Sequence, residues 1–511
     1  MPVNAGLAGA TGWRGSLDLE RDANVKRPAR GTVELATDLR GLSSALPEPF
    51  GKSADSVRPL AIQARFDGNA GPRIEGSLGR DVRALLQWRH RPGAPPIERG
   101  IVAFGGARPD TLPRNPGLWL TGRLDSASLT QVLDLKWDGP RGRPVQEWLA
   151  GADLAVGRFE ALGYEFADVV GSLRPGNRAW EVTVAGAPVA GRVSLPYTFP
   201  GEVPMLVDLA RLHFGEPVAR PGTRQETDPR KLPEIRMSIG DFVFDQRNFG
   251  RVEAEFSRGT AGMTLNRFTM SHPAFTAEGS GSWLMRGEAA ECRLDFDLES
   301  KNVKAFMAAM RLGPGVEAEV GRASAHLTWP GPPGIAAIGR LSGRLELSAA
   351  NGQLTAVEPG AGRVFSLMSL SHLPRRLALD FDDLTGEGLA FDKLSGSFRL
   401  TNGDAYTDNV TLRGSAAEIG LAGHANLRDR TYDQTAVVTG QLGASLGVAG
   451  ALAGGPAVGA ALLLFSQIFK EPLKGVTRGY YRITGSWDDP QVRRIDAREL
   501  KDDRQAAQGP S

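Results

Sequence analysis

The residues of this chain that could do chemistry lie in short motifs that match known sites only in part. Residues 51–53 (GKS) resemble the end of a phosphate-binding loop, but Leu46 stands where that motif has its first glycine. Residues 443–447 (GASLG) match the pattern around a nucleophilic serine, with Ser445 at the centre. That serine lies in an uncharged run of alanine and glycine, so close packing of small residues in helices is the simpler interpretation.

Metal, nucleotide and acid–base sites are not indicated either. The six histidines are far apart, and none has the short spacing to another histidine or to the cysteine that metal ligands show. Residues 360–363 (GAGR) lack the third glycine of a dinucleotide-binding turn, because Phe365 stands there. Asp380, Asp382 and Asp383 are typical of a solvated strand end. We therefore predict no cofactor and no enzymatic activity.

Composition narrows the class of protein further. The 511 residues include 60 basic against 58 acidic side chains, so no charge excess favours nucleic acid. Apolar residues make up 41% of the chain, which excludes wholesale disorder. The single cysteine, Cys292, forms no intrachain disulfide and fits a small apolar position in a strand. Residues 1–20 lack the pattern of a secretory signal or a membrane anchor.

Hydrophobic periodicity predicts strands far more often than helices. Apolar residues alternate with polar ones along 60–66 and 292–298, for example, as in strands with one buried face. Asn-Gly pairs at 351 and 402 predict turns between such strands. The clearest helices are predicted at 303–311, 362–373 and 441–469, and in the charged tail after Asp496. The fold is therefore predicted to be mainly β, with a long antiparallel sheet and few short helices.

A long sheet with so few helices has two ways to cover its apolar face. Its halves close into sandwiches, or the face stays open as a groove that holds an apolar ligand. Residues 166–173, 249–256 and 391–398 share the spacing of their apolar positions, and each is followed by a glycine-containing strand. Such a repeated unit of several strands stacks edge to edge and favours one continuous surface over separate pockets.

The C-terminal half carries a recognisable signature. Residues 357–398 (VEPGAGRVFSLMSLSHLPRRLALDFDDLTGEGLAFDKLSGSF) resemble the signature near the C-terminus of the YhdP family, large AsmA-like proteins of the Gram-negative envelope. Residues 402–423 (NGDAYTDNVTLRGSAAEIGLAG) and 479–492 (GYYRITGSWDDPQV) are similar to the family consensus in its usual order. The resemblance covers essentially the whole chain and is strongest over 340–492.

The resemblance implies a bridge-like lipid transfer protein with an elongated, curled antiparallel β-sheet groove of repeated multi-strand units. Phospholipid tails would slide along the dry face between the inner and outer membranes, across the periplasm. Family members are anchored in the inner membrane, and this chain corresponds to their C-terminal portion. The expected partners are phospholipids, with no nucleic acid. A structural or regulatory envelope protein that docks a partner on the sheet is the alternative, and a hydrolase at Ser445 is a third hypothesis.

The predicted organisation has five segments. They are a repeating β-groove segment (1–300), an AsmA-like C-terminal groove segment (301–433), an apolar helical hairpin (434–475), a terminal strand (476–496) and a polar tail (497–511). The apolar positions expected to line the groove are Leu294, Phe296, Leu377, Leu379, Phe381, Phe391, Leu394 and Phe398.

The hairpin segment is the best candidate for membrane contact. Residues 434–469 carry no charge, and the Gly-Gly-Pro at 454–456 breaks the run near its middle. Each arm then has roughly 13 helical residues, about 20 Å, against a hydrocarbon core of about 30 Å. The hairpin is expected either to dip into one leaflet of the outer membrane or to plug the end of the groove. The residues expected to contact the membrane are Leu462, Leu463, Leu464, Phe465, Ile468 and Phe469.

Overall fold

The computed structural model describes most of the chain and divides it into two compact units. The described residues are 6–20, 30–67, 71–88, 97–129, 131, 144–161, 163–198, 201–214, 228–313, 315–355, 389–415, 417–440 and 477–495. The first unit comprises Met1–Thr223 and Arg236–Asp245, and the second comprises Arg224–Ile235 and Gln246–Ser511.

The predicted mainly β fold is confirmed, with 27 strands among the described residues. In the first unit, apart from Ile235, the strands are β1 (Leu7–Gly9), β2 (Arg14–Glu20), β3 (Arg30–Thr37), β4 (Leu42–Ser44), β5 (Leu60–Asp67), β6 (Arg73–Leu78), β7 (Val82–Trp88), β8 (Ile97–Phe104), β9 (Gly117–Ser128), β10 (Leu149–Ala161), β11 (Tyr164–Pro175), β12 (Ala179–Ala185), β13 (Val189–Pro196), β14 (Met205–Phe214) and β15 (Ile235–Phe244).

The second unit contains the remaining twelve strands and the α-helix among the described residues. These are β16 (Arg247–Arg258), β17 (Gly262–His272), β18 (Phe275–Arg286), β19 (Ala289–Ser300), α1 (Val303–Ala309), β20 (Val316–Pro330), β21 (Ser342–Leu354), β22 (Leu389–Thr401), β23 (Asp404–Arg413), β24 (Ala417–Asn426), β25 (Thr431–Gly440), β26 (Thr477–Ser486) and β27 (Pro490–Ile495). Single turns of 3₁₀ helix occur at Val145–Glu147 and Pro229–Lys231, and a longer one at Ile335–Arg340.

Antiparallel pairing of consecutive strands dominates both units. In the second unit every strand from β16 to β27 pairs with the next one along the chain. In the first unit β1 pairs with β4 and β3 with β5, and β9 pairs in parallel with both β8 and β10. Parallel neighbours cannot be joined by a tight hairpin, so both connections of β9 must cross from one end of the sheet to the other.

Helix α1 forms where the sequence predicts a helix at 303–311. Asn302 begins it, and its side-chain oxygen accepts a hydrogen bond of 2.9 Å from the amide of Ala305. The helix packs onto the sheet over Gly321, where an added Cβ would lie 2.7 Å from Cγ2 of Val303. A side chain at 321 would therefore push α1 off the sheet.

One of the two Asn-Gly pairs does not form a turn. Asn402 and Gly403 have φ of 48° and 86° and connect β22 to β23, as predicted. Asn351 also has a positive φ, 53°, but it lies inside β21, where Gly352 pairs with Phe391 of β22. The predicted turn at 351 is wrong, because the flanking residues are held on both sides by neighbouring strands.

Several predicted segment boundaries differ from the structure. Residues 434–440, assigned to the hairpin, belong to β25, and they lack charge because this stretch of strand is largely buried. Residues 477–495 form two paired strands, where one was predicted. The predicted boundary at 300 falls inside the second unit, where β19 and β20 pair directly. The predicted helix at 362–373, the remainder of the hairpin and the tail lie outside the described residues.

Candidate functional site: the apolar face of the second unit

The sheet of the second unit has an apolar face, defined here as the inward rows of side chains on β17–β26. Antiparallel register aligns alternate positions of neighbouring strands into rows that cross the sheet. One row consists of Phe268, Gly279, Phe296, Ala325, Leu345 and Phe398. The next consists of Met270, Ala277, Leu298, Ala323, Leu347, Gly396, Val410, Leu421, Ala436 and Tyr481. Together they form an apolar surface that crosses many strands.

This face has two parts that differ in burial. On β18–β21, the open part is the set of large apolar side chains that are only half-buried; they are Trp283, Met285, Leu294, Phe296, Leu298, Leu327, Trp329, Leu345 and Leu347. Phe275 at the start of β18 (3% exposed) and Leu354 at the end of β21 (0% exposed) are buried and do not belong to it. On β22–β26, the closed part, the corresponding side chains are 5% exposed or less; they include Leu394, Phe398, Leu400, Val410, Leu412, Ile419, Leu421, Val438, Tyr481 and Ile483. Leu345 and Leu347 pack against the closed part, so the two parts are continuous.

The residues predicted to line the groove fall in both parts. Leu294 and Phe296 lie on β19 in the open part and are half-buried. Phe391, Leu394 and Phe398 lie on β22 within the buried cluster of the closed part. Leu377, Leu379 and Phe381, and all six residues of the predicted membrane contact, lie outside the described residues.

Most residues of the open part were not among the positions predicted to line the groove. Ala277, Ala323 and Ala325 belong to the apolar rows, but alanine carries a weak hydrophobic signal in a strand. The signal that could have found them is the long alternation through β20, where Ala323, Ala325 and Leu327 alternate with Ser324 and His326.

Glycine on the apolar face lets large side chains lie close to the sheet. An added Cβ at Gly279 would meet the Phe268 ring at 2.6 Å, and one at Gly352 would meet the Phe391 ring at the same distance. These two rings therefore cover backbone that any other residue would block. Because these rings lie directly over the glycine backbone, the apolar surface continues across the glycine positions without a gap.

In the first copy of the repeated sequence motif, a residue with left-handed backbone lies between two apolar residues of the motif. Phe166 and Val169 are both buried in one cluster although they are three positions apart. Strict alternation would place them on opposite faces. Asp168 between them has a φ of 48°, which interrupts the pleat and returns the second residue to the same face.

The second copy of the motif has the same arrangement, with Gly250 at a φ of 70° between Phe249 and Val252. In the third copy, Phe391 and Leu394 are buried in one cluster, and the left-handed residue is Asn351 (φ of 53°) on the neighbouring strand β21. A left-handed residue inside an apolar pair spaced by three therefore accompanies this local reversal in the first two copies.

The opposite face of the second unit carries the charges. His326 Nδ1 lies 2.7 Å from Oδ1 of Asp295, and Arg293 binds the same carboxylate at 2.8 Å. The hydrogen bond from Arg293, and then that from His326, lowers the pKa of Asp295 below its ordinary value. Arg322 and Glu299 pair across neighbouring strands at 3.2 Å. These exposed ion pairs lie on the water-facing side of the sheet. The apolar rows described above, on the other face, contain no charged side chain.

A concavity of about 840 Å³ lies along β17–β23, and its lining takes in apolar-row residues, such as Ala277, Leu298 and Leu347, together with residues of the charged face. Its lining is rich in hydroxyl groups, carboxylates and guanidinium groups, among them Glu278, Asp297, Glu299, Arg322, Glu346 and Ser397. Alkyl chains would desolvate these groups without replacing their hydrogen bonds. The polar part of this lining is therefore unsuited to lipid tails, and the large apolar side chains of the open part are the better candidate.

The motifs with possible catalytic or binding chemistry do not form a site in the described residues. Lys52 of the GKS motif donates hydrogen bonds to the carbonyl oxygens of Leu39 (2.9 Å), Leu42 and Ser53 (2.7 Å), so it holds a loop together. No group of three potential metal ligands occurs among the residues that the structure describes. Ser445 and Asp380, Asp382 and Asp383 lie outside them.

Cys292 has the properties of an unreactive core residue. Its side chain is 2% exposed, and Sγ donates to the carbonyl oxygen of Gly331 at 3.3 Å. Burial, and then the nearby charge of Glu291, raises the pKa of the thiol to about 12. The thiolate that nucleophilic or metal chemistry needs is absent at neutral pH.

The first unit has an apolar row of its own. Register aligns Leu17, Val33, Ala64, Ile74, Leu86, Gly100, Leu118 and Leu149 across β2, β3 and β5–β10. Near the start of this row the face is uncovered, with Leu17 and Leu19 61% and 68% exposed. Each unit therefore presents apolar side chains along several consecutive strands.

Known proteins place the chain in a family. The family described as YhdP protein matches residues 1–492. The chain belongs to the YhdP family. A relative from Escherichia coli (strain K12), named intermembrane phospholipid transporter YhdP, is 25% identical over 521 aligned residues, which cover 96% of this chain and 39% of the relative. The chain thus spans about two fifths of the length of this family member.

No solved structure matches this YhdP-family chain at a significant level. Among the described residues, no helix has both the length and the apolar character needed to cross a bilayer.

Proposed function

We propose that this protein transports phospholipid between the inner and outer membranes of a Gram-negative envelope, without a catalytic step. The half-buried apolar surface of the open part carries this proposal, because its large side chains cross four consecutive strands and face away from the charged side chains. The name of the Escherichia coli relative supports it.

Acyl chains suit such a surface for a simple physical reason. Burial of hydrocarbon is favourable by about 25 cal/mol per Å² and has no directional requirement, so many positions along the face bind a tail equally well. A chain bound with similar affinity at neighbouring positions can slide across strands. No general base, nucleophile or metal takes part.

The proposed transport implies where the protein is located and how lipid reaches it from one membrane and leaves it for the other. We place the chain in the periplasm, with the inner membrane reached through the part of longer family members that this chain does not match. The apolar segment of residues 441–475 would contact the inner leaflet of the outer membrane. The groove would be extended by the predicted positions Leu377, Leu379 and Phe381.

Bound lipid is the direct test of this function. We expect the protein, purified without detergent, to carry phospholipid at about one molecule or more per chain, identified by mass spectrometry of the extract. The alternative, a sheet that docks a protein partner, predicts protein free of lipid. Lipid-free protein that also takes up no phospholipid from vesicles would contradict the transport proposal.

The proposed membrane contact leads to a separate prediction. We expect the full chain to float with vesicles of phosphatidylethanolamine and phosphatidylglycerol, and the double variant Leu463→Asp/Phe465→Asp to lose about 90% of this binding. Two carboxylates would have to enter the acyl region, at a cost of about 2 kcal/mol or more each. The measurement is the floated fraction in a density gradient.

Gln467→Glu provides the matched control for the flotation experiment. It adds a charge in the same stretch, at a polar position outside the predicted membrane-contact residues. We expect it to float like the unmodified chain. Failure of the unmodified chain to float, or equal flotation of the double variant, would favour a hairpin that plugs the groove.

A further inference from the structure

The apolar face changes abruptly between two neighbouring strands, β21 and β22. We infer that the lipid path on the second unit ends at this boundary, so that acyl chains occupy the open part and do not enter the closed part. The inference rests on the proposed lipid transport and adds the point at which a lipid must leave the sheet.

Strand register shows where the sheet changes its curvature. The register shifts between Leu265 and Phe268 in the β17–β18 pair, and then does not shift from β18 through β22. The register then shifts between Ser395 and Arg399 in the β22–β23 pair, and again between Thr407 and Val410 in the β23–β24 pair. Irregularities of this kind bend a strand and increase its twist. The register is therefore regular under the open part and irregular at both of its borders, including the one where the closed part begins.

Contacts at the bend show the consequence for the apolar face. An added Cβ on Gly396 would lie 2.4 Å from Cγ2 and 2.8 Å from Cα of Val410. Val410 thus lies directly on β22, in the row that Leu347 occupies one strand earlier. A lipid tail that followed this row from Leu347 would meet Val410 in its path.

Burial changes at the same point. Leu347 is half-buried, whereas Val410, Leu421, Ala436 and Tyr481, which continue its row, are all 0% exposed. Surface that is already buried gains nothing from contact with an acyl chain. A tail could enter the closed part only by separating side chains packed at the density of a protein interior.

Polar side chains make the closed part still less suitable for hydrocarbon. Gln434 is 0% exposed and pairs with Gly423, which in turn pairs with Thr407, 7% exposed. Oγ1 of Thr407 has no hydrogen-bond partner among the described residues, and the same holds for Nε1 of Trp283 in the open part. The comparable row of the open part, from Gly279 to Leu345, contains no polar side chain. An alkyl chain against these groups would exclude the water or polar partners that they need.

Leucines on both sides of the boundary allow a direct test in the full chain. The protein is made with photo-leucine, a diazirine analogue that is nearly isosteric with leucine and is tolerated at packed positions. It is loaded from vesicles of phosphatidylethanolamine and phosphatidylglycerol and irradiated, and lipid adducts are mapped by peptide mass spectrometry. The open-part leucines are Leu294, Leu298, Leu327, Leu345 and Leu347, and those of the closed part are Leu394, Leu400, Leu412 and Leu421.

We expect the yield of lipid adducts per leucine to be at least about tenfold higher in the open part than in the closed part. Crosslinks between strands β22–β24 confirm that the photo-leucines of the closed part react. Equal adduct yields in both parts would overturn the end of the path at β22 and leave lipid transport intact. Interstrand crosslinks with no lipid adduct at any leucine would instead contradict the proposed transport itself.

Discussion

Ala323→Asp is expected to reduce phospholipid transfer about 100-fold while the sheet still folds. Ala323 lies in the middle of the open part, between Leu298 and Leu347 of the neighbouring strands. Each tail that slides past this position would desolvate a carboxylate, at a cost of about 3 kcal/mol or more, and every 1.4 kcal/mol slows a step about tenfold. The measurement is the rate at which labelled phosphatidylethanolamine moves from donor to acceptor vesicles through the protein.

Ser348→Asp is the matched control for this substitution. It introduces the same carboxylate in place of another small residue, but on the charged face, where position 348 pairs with Arg322. We expect transfer within about twofold of the unmodified rate, since the charge remains in water beside a guanidinium group. Folded Ala323→Asp protein with unchanged transfer would show that lipids do not use this face.

Leu421→Ala is expected to lower the free energy of unfolding of the second unit by about 2–5 kcal/mol, because its side chain is fully buried in the closed part. Leu347→Ala deletes the same atoms from the same cross-strand row. Leu347 is half-buried, so we expect a loss of only about 1 kcal/mol. Urea denaturation, followed by tryptophan fluorescence, measures both variants.

The comparison of these two leucines also tests the division of the apolar face. Trp487 packs within the closed part and reports on its unfolding. If both variants lost the same free energy of unfolding, the two leucines would be equally packed, and the distinction between the open and closed parts would be wrong.

The sequence alone was sufficient for the fold class, for helix α1 and for the family. Alternating apolar residues, as in Leu294, Phe296 and Leu298, predict a strand with one buried face regardless of what lies above it. Helix α1 is predicted by the spacing of its apolar residues, and Asn302, directly before it, caps its N-terminus. These features depend on neighbours a few residues apart, so a single chain without coordinates shows them.

Features that depend on distant segments were not predicted. The Asn-Gly pair at 351 has the same local turn chemistry as the pair at 402, yet only the latter forms a hairpin turn. Strands β20 and β22 hold residue 351 inside β21, and this constraint comes from residues more than 30 positions away. The parallel pairing of β9 was not predicted either. The alternation of apolar and polar residues along a strand is the same whether its neighbour runs parallel or antiparallel.

The candidate site illustrates the same division. The alternation of Leu294, Phe296 and Leu298 on β19 was recognised in the sequence as one buried face, and Ala417, Ile419 and Leu421 on β24 show the same alternation. Only the tertiary structure shows that the first set is half-buried and the second set almost completely buried. The physical reason is that burial depends on how sharply the sheet bends. That bend is set by register shifts between paired strands and by contacts such as Val410 on Gly396, neither of which is encoded in the periodicity of one strand.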